Sequence, residues 1–212
     1  MSKKQVKKII IAVFILATSL YIIRVYNINH SEILDYLPQT TKHNMHEVVA
    51  IPSGYYNQGY VDMNGYFMEV SDCRLIRLAD LSSEGFIQQS EMPLVPHTDN
   101  CEYVMLVTAI FHFEGNGDPL EGVIDLSNFS VVGSDYYINY NSEFNELALL
   151  NKFLNGSSQF SIASGKNIKV ILPFLIPGES PWKIEPEYIM DDNISLLFSC
   201  YPLEKHINLE IS

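Results

Sequence analysis

The stretch His43-Asn44-Met45-His46-Glu47 brings two imidazoles and a carboxylate within one turn of chain. A zinc protease needs H-E-x-x-H on a helix, so that both imidazoles share a face and the glutamate activates water, and the inverse arrangement needs H-x-x-E-H. The order here is H-x-x-H-E in a stretch with linker composition and no clear third ligand, so neither a metal nor metal catalysis is expected. Nucleophilic chemistry has no better footing. There is no G-x-S-x-G, and no cysteine stands at a basic helix start that would lower its pKa. Residues 115–122 lack the lysine and following helix of a phosphate loop. Asp191, Asp192 and Asn193, or Asp118 with Glu121, offer oxygen donors for calcium without the spacing of an EF-hand. A non-enzymatic protein without cofactor is the expectation, and an unrecognised metal-dependent hydrolase the alternative.

The aromatic residues suggest recognition. Tyr136, Tyr137 and Tyr140 fall on a predicted hairpin and Trp182 lies in a loop bounded by prolines. Amphipathic rings on loops supply contact area at low entropic cost, so these four form a candidate interaction surface, while edge-strand packing is the favoured reading. Three cysteines leave at least one without an intramolecular partner. Buried free thiols are the default, and Cys101 with Cys200, both in phase with apolar neighbours, is the candidate disulfide.

Charge and hydropathy place these groups in a compartment. Of the 13 Lys and Arg, five (Lys3, Lys4, Lys7, Lys8 and Arg24) precede residue 30 without a single acid, leaving eight against all 25 Asp and Glu, a balance of −17. Such a body disfavours nucleic acid, whose binding rests on phosphate neutralisation. After the lysines, residues 9–23 are apolar except for Thr18, Ser19 and Tyr21. The run is either a signal peptide cleaved after Ser19 or an uncleaved anchor. Because Leu20 to Ile23 continue past the small residues, the anchor is favoured. The expected plan is a cytoplasmic basic tail (1–8), a transmembrane signal-anchor (9–28), a juxtamembrane linker (29–64) and an extracytoplasmic β domain (65–212), giving a single-pass protein of the cell membrane.

Within that domain, residues 101–113 (CEYVMLVTAIFHF) read as the central strand, with an apolar odd face that must pack on a second sheet and a mixed even face. Residues 66–78 read as a strand with a bulge at Ser71-Asp72, and 80–100 as an irregular connection interrupted by Pro93 and Pro96. Residues 123–132 and 136–140 read as strands around a two-residue turn at Gly133-Ser134. One short helix is expected from Asn141 or Ser142 to the stop at Asn155-Gly156. Strands at 160–163, 168–176, 194–201 and 207–211 complete a mainly β, antiparallel sandwich.

Residues 103–116, 160–177 (FSIASGKNIKVILPFLIP) and 194–199, with the start at Gly65-Tyr66, make the chain resemble the immunoglobulin-like, telokin-like extracytoplasmic domains of unknown function of Gram-positive bacteria. The likeness covers roughly residues 65–201; Ser164 stands where that family usually has proline. It implies an immunoglobulin-like β-sandwich on a membrane tether and carries over no catalytic residues. The expected function is a membrane-anchored module that binds a protein or cell-envelope component, or an accessory subunit of a membrane complex.

Overall fold

In a computed structural model of the chain, which describes residues 5, 14, 16–25, 39–56, 59–96, 101–115, 123–179, 181, 183–199 and 203–212, the apolar run expected at the centre of a sheet does lie there. The chain divides into two units, Met1–Pro38 and Gln39–Ser212. The second begins with four short strands, β1 (Gln39–His43), β2 (Val49–Ala50), β3 (Gly54–Tyr56) and β4 (Gly59–Val61), before the long β5 (Tyr66–Arg77) and β6 (Tyr103–Phe113). There follow β7 (Ile124–Asp125), β8 (Ser130–Val132), β9 (Tyr137–Asn139), helix α1 (Glu143–Glu146), β10 (Gln159–Phe160), β11 (Asn167–Ile176), helix α2 (Pro186–Asp191), β12 (Ser195–Ser199) and β13 (Leu203–Asn208).

Two sheets carry the architecture, in the orders β11-β6-β5-β2 and β1-β13-β12-β8-β9, with β10-β7 and β3-β4 as small pairs. Met105, Val107, Ala109 and Phe111 of β6 share one buried cluster with Val131 of β8, Leu196 and Phe198 of β12 and Ile207 of β13, so the odd face of β6 is the sandwich interior, as its sequence requires. The bulge on β5 keeps that interior apolar. Its register on β6 shifts between Val70 and Asp72, so the inward residues are Tyr66, Met68 and Val70 before it and Cys73 and Leu75 after it. An unbroken strand would have turned Asp72 and Arg74 inward.

The even face of β6 is buried too, which its mixed composition did not announce. Val104 and Leu106 join Leu81, Ile87 and Val95 of the connection after β5, Phe144 of α1 and Leu149 in a second cluster. The segment read as an irregular crossing is therefore a lid over the outer face of the sheet.

Several expectations need correction. The sandwich is not purely antiparallel, because β1 runs parallel to β13 at the edge, from Gln39 opposite Leu203 to His43 opposite Ile207. That pairing and the pairing of β2 with β5 put Gln39–His43 and Val49–Ala50 in the folded unit, where a linker to residue 64 was expected. Lys205 of β13 reinforces it by donating from Nζ to the Ala50 carbonyl at 2.7 Å. The β8–β9 turn spans residues 133–136, since Val132 pairs with Tyr137, and is not a two-residue turn. The expected helix over 142–154 stops after one turn. Ala148 takes φ +51°, its N–H donating to Asn145 O and that of Leu149 to Phe144 O, a Schellman closure that turns Leu149 back onto Phe144. A second helix, α2, stands where a proline-punctuated loop was expected.

In the first unit the described residues Gln5, Phe14 and 16–25 are helical, and Phe14, Leu16, Leu20, Tyr21, Ile22 and Ile23 are exposed. Among the described residues no helix is long and apolar enough to cross a membrane, so the spanning helix expected over 9–28 is not supported. Much of that stretch lies outside the described residues.

Candidate functional site

Two segments meet at the end of the sandwich where β6 begins and β11 ends: the β8–β9 turn and the loop leading into α2. The turn closes through Gly133 N–H to Tyr136 O at 3.1 Å. The Tyr136 ring lies directly over Gly133, and a Cβ there would collide with the ring and stand 2.6 Å from Asp192 Oδ2. Asp192, at the C-terminal end of α2, accepts from the Ser134 hydroxyl, from Ser134 N–H at 2.8 Å and from Asn193 N–H at 2.8 Å. These bonds, those from Ser134 first, hold its carboxyl below the usual carboxylate range. The helix itself starts with Pro186, whose fixed φ suits a first turn and whose missing N–H costs nothing there.

Tyr188 of α2 completes the wall. Its hydroxyl donates to Asp135 Oδ1 at 3.0 Å, and its ring meets Tyr136 edge-on, centroids 6.0 Å apart and planes at 60°. The bond to Asp135 raises the Tyr188 pKa. Tyr136 Oη is buried without a hydrogen-bond partner among the described residues, and burial, then the Asp192 carboxylate, pushes its ionisation well above the usual tyrosine range. Asp135, Tyr136, Tyr137, Pro181, Lys183 and Tyr188 line a groove of about 760 Å³. Pro177, Lys183, Ile184 and Glu185 also line a neighbouring cleft of about 450 Å³ bounded by Cys101, Glu102 and Tyr103. Ligand sites run ~300–1,000 Å³, so this groove has the right size. The apolar cavity between Ile51, Met63, Phe129 and Phe198, about 60 Å³, holds a few waters at most.

Of the four residues expected to form the interaction surface, Tyr136 and Tyr137 line this groove, with Tyr137 54% exposed. Tyr140 belongs to the interior: it is buried, its hydroxyl accepting from the Asn145 amide. Trp182 lies outside the described residues. So does Cys200, while Cys73 and Cys101 are free thiols. Burial pushes the Cys73 thiol up to about 12, which makes it unreactive. Tyr103 and Tyr188 were not singled out from sequence. The one usable signal was Pro186-Glu187 as a helix start, which puts Tyr188 in the first turn.

The other chemical groupings disperse. His43 Nδ1 faces Glu47 at 3.4 Å and His46 Nδ1 faces Glu69 at 3.8 Å, so the two imidazoles have separate carboxylates. Among the described residues no group of three or more His, Cys, Asp or Glu is placed to hold a metal. One relay was missed: Ser195 Oγ lies 2.9 Å from His206 Nδ1, and His206 Nε2 lies 2.6 Å from Glu204 Oε1. With Nε2–H given to the glutamate, Nδ1 accepts from the serine, the polarity of a nucleophile, base and orienter. Ser195, however, sits buried inside a ladder, paired with Asn208 on one side and Val132 on the other, not on an exposed elbow. The relay satisfies buried polar groups on the outer face of its sheet.

Gly133→Ala is expected to cost about 1–3 kcal/mol, the range for forcing extra volume into a packed site, and to swing Tyr136 off the groove wall. Urea unfolding checks the first effect and near-ultraviolet circular dichroism of the tyrosines the second.

No curated protein matches this chain. Among solved structures it is similar to the crystal structure of the yjhA protein from Bacillus subtilis at 9% identity and a TM-score of 0.39, over 79% of this chain and 99% of that one. A family model described as a domain of unknown function, DUF5028, matches residues 40–205, a span that runs from β1 into β13, and the chain belongs to that family.

Proposed function

We propose that the chain is a non-enzymatic binding module of a Gram-positive cell envelope, an immunoglobulin-like sandwich held at the outer membrane surface by its N-terminal segment. The groove walled by Tyr136, Tyr137 and Tyr188 carries the reading, because it offers half-exposed aromatic rings on a rigid frame, the composition of binding hot spots. Its ligand is a protein or envelope component and not nucleic acid, which the −17 body would repel. The tether is supported by the basic start followed by residues 9–23 and by the exposed apolar side chains of residues 20–23.

The test uses the full chain in a Gram-positive host, with a photo-crosslinking residue at Tyr137 or, as a control at the sheet edge, at Thr40. The expected result is a chain that resists alkaline extraction from membranes, is cut by protease added outside, and yields a discrete cross-linked species from position 137 only. A version starting at Gln39 is expected in the soluble fraction. Equal cross-linking from both positions sinks the binding-groove reading, and a full chain that washes off the membrane sinks the tether.

A further inference from the structure

We infer that the tyrosine groove takes an extended basic peptide segment, with arginine or lysine side chains seated between the rings and the carboxylates; this rests on the binding-module reading above. Charge is the first argument. Among the described residues Glu102, Asp135, Glu179 and Glu185 line the two clefts against Lys183, with Arg77 at the edge beside Glu102, so the carboxylates outnumber the cations four to two. Lys183 is already engaged, its Nζ 2.7 Å from Glu185 Oε1, and Glu185 first, then Glu102 and Glu187, raise its pKa. A cation entering the groove meets a field that favours it, while an anion meets both the carboxylates and the −17 body.

The rings supply the second argument. Tyr137 and Tyr188 are 54% and 46% exposed, so their faces are open to a guanidinium or ammonium group, which the negative face of an aromatic ring attracts. The chain has built one such contact at the edge of the same cleft. The Arg77 guanidinium lies 5.7 Å from the centre of the Tyr103 ring, its Nε donates to Tyr103 Oη at 3.1 Å, and Glu102 stands 3.6 Å away. Tyr188 and Asp135 likewise set a ring beside a carboxylate, which here accepts from the ring's own hydroxyl and keeps its second oxygen for a cation. Shape is the third argument. The two clefts are neighbours that share Pro177, Lys183, Ile184 and Glu185 as common lining, so a segment lying across that shared rim reaches the rings of both, an arrangement that suits an extended chain.

The experiment titrates the full chain, in mild detergent, into a short fluorescein-labelled peptide of alternating arginine and proline, and into versions with serine or glutamate in place of arginine. The arginine peptide is expected to bind, to weaken about tenfold with Tyr137→Ala and with Glu185→Gln, and to weaken with added salt, while the glutamate peptide does not bind. Both substituted side chains are largely exposed, so the sandwich stays folded. Arginine and serine peptides binding alike overturn the inference; if Tyr137→Ala then weakens both, the groove still binds and only the charge argument falls. No binding by any peptide overturns the inference and leaves the groove reading to be decided by cross-linking at position 137.

Discussion

Phe111→Ala is expected to destabilise the unit from Gln39 to Ser212 by about 3–5 kcal/mol, a large part of the ~5–15 kcal/mol that holds a domain together. Phe111 is fully buried near the C-terminal end of β6. Met68 of β5 stands opposite it on one side and Ile168 of β11 on the other, so its ring spans three strands of one sheet. It also meets two rings edge-on, Phe129 at 5.8 Å and Phe160 at 5.5 Å, and thereby joins the sheet to the segments around β7, β8 and β10. Truncation removes the apolar area and both edge contacts, and neighbours fixed on separate strands cannot collapse into the void. Phe111→Leu refills most of the volume and should cost far less. Urea midpoints at unchanged slope would measure both. A loss below about 1 kcal/mol for the alanine variant would mean that the two sheets do not share one core there.

Why that ring could be picked out from sequence, and others could not, follows from how far each signal reaches. Residues 103–113 announce themselves because a run rich in β-branched and aromatic side chains contains no glycine or proline, and Ser71-Asp72 marks the bulge because polar residues interrupt an alternation whose phase then changes. Both are local patterns. The parallel pairing of β1 with β13 is not local: Gln39–His43 is exposed or nearly so along its length, and only the distant strand beside it makes it a strand. The lid over Val104 and Leu106 escaped notice for a related reason. Leu81, Ile87 and Val95 are too widely spaced to show a period, and they contribute as single anchors on a mostly 3₁₀ and turn path. At the groove, the tyrosines at 136 and 137 were legible by residue type and Tyr140 was misread by the same token, because alternation along β9 sends it inward to Asn145. Tyr103 and Tyr188 come from a strand start and a short helix that only the fold brings to one place.

Asn151 shows how much stability such a non-local arrangement concentrates in one side chain. β11 is an edge strand of its sheet, and Pro173, which has no N–H to give, is at home there. An edge leaves alternate backbone groups unpaired and open to another chain. Here Asn151 stands in for a neighbouring strand: Ile171 N–H donates to its Oδ1 at 2.8 Å and its Nδ2 donates to Ile171 O at 2.8 Å. The same amide donates to Asn145 Oδ1 at 2.7 Å, and Asn145 in turn donates to Tyr140. Asn141 N–H takes the Pro173 carbonyl at 2.9 Å, so residues 141–151 cover this edge. Asn151→Ala strips the partners from one backbone donor, one backbone acceptor and one buried amide oxygen. Each buried group left unmade costs about 1–3 kcal/mol, and partial access of water at the edge brings the expected total to about 2–4 kcal/mol. Asn151→Asp should be at least as damaging despite its similar shape, since it keeps the acceptor for Ile171 N–H but sets a carboxylate against the Ile171 carbonyl and Asn145 Oδ1. Urea unfolding reads the loss. A double-mutant cycle with Asn145→Ala should be clearly less than additive, because the two amides act as one chain of bonds. Light scattering of the alanine variant, rising with concentration, would register the uncovered edge. Additive losses would instead mean that the two side chains act independently and that the covering of β11 rests on packing by Phe144 and Leu149 alone.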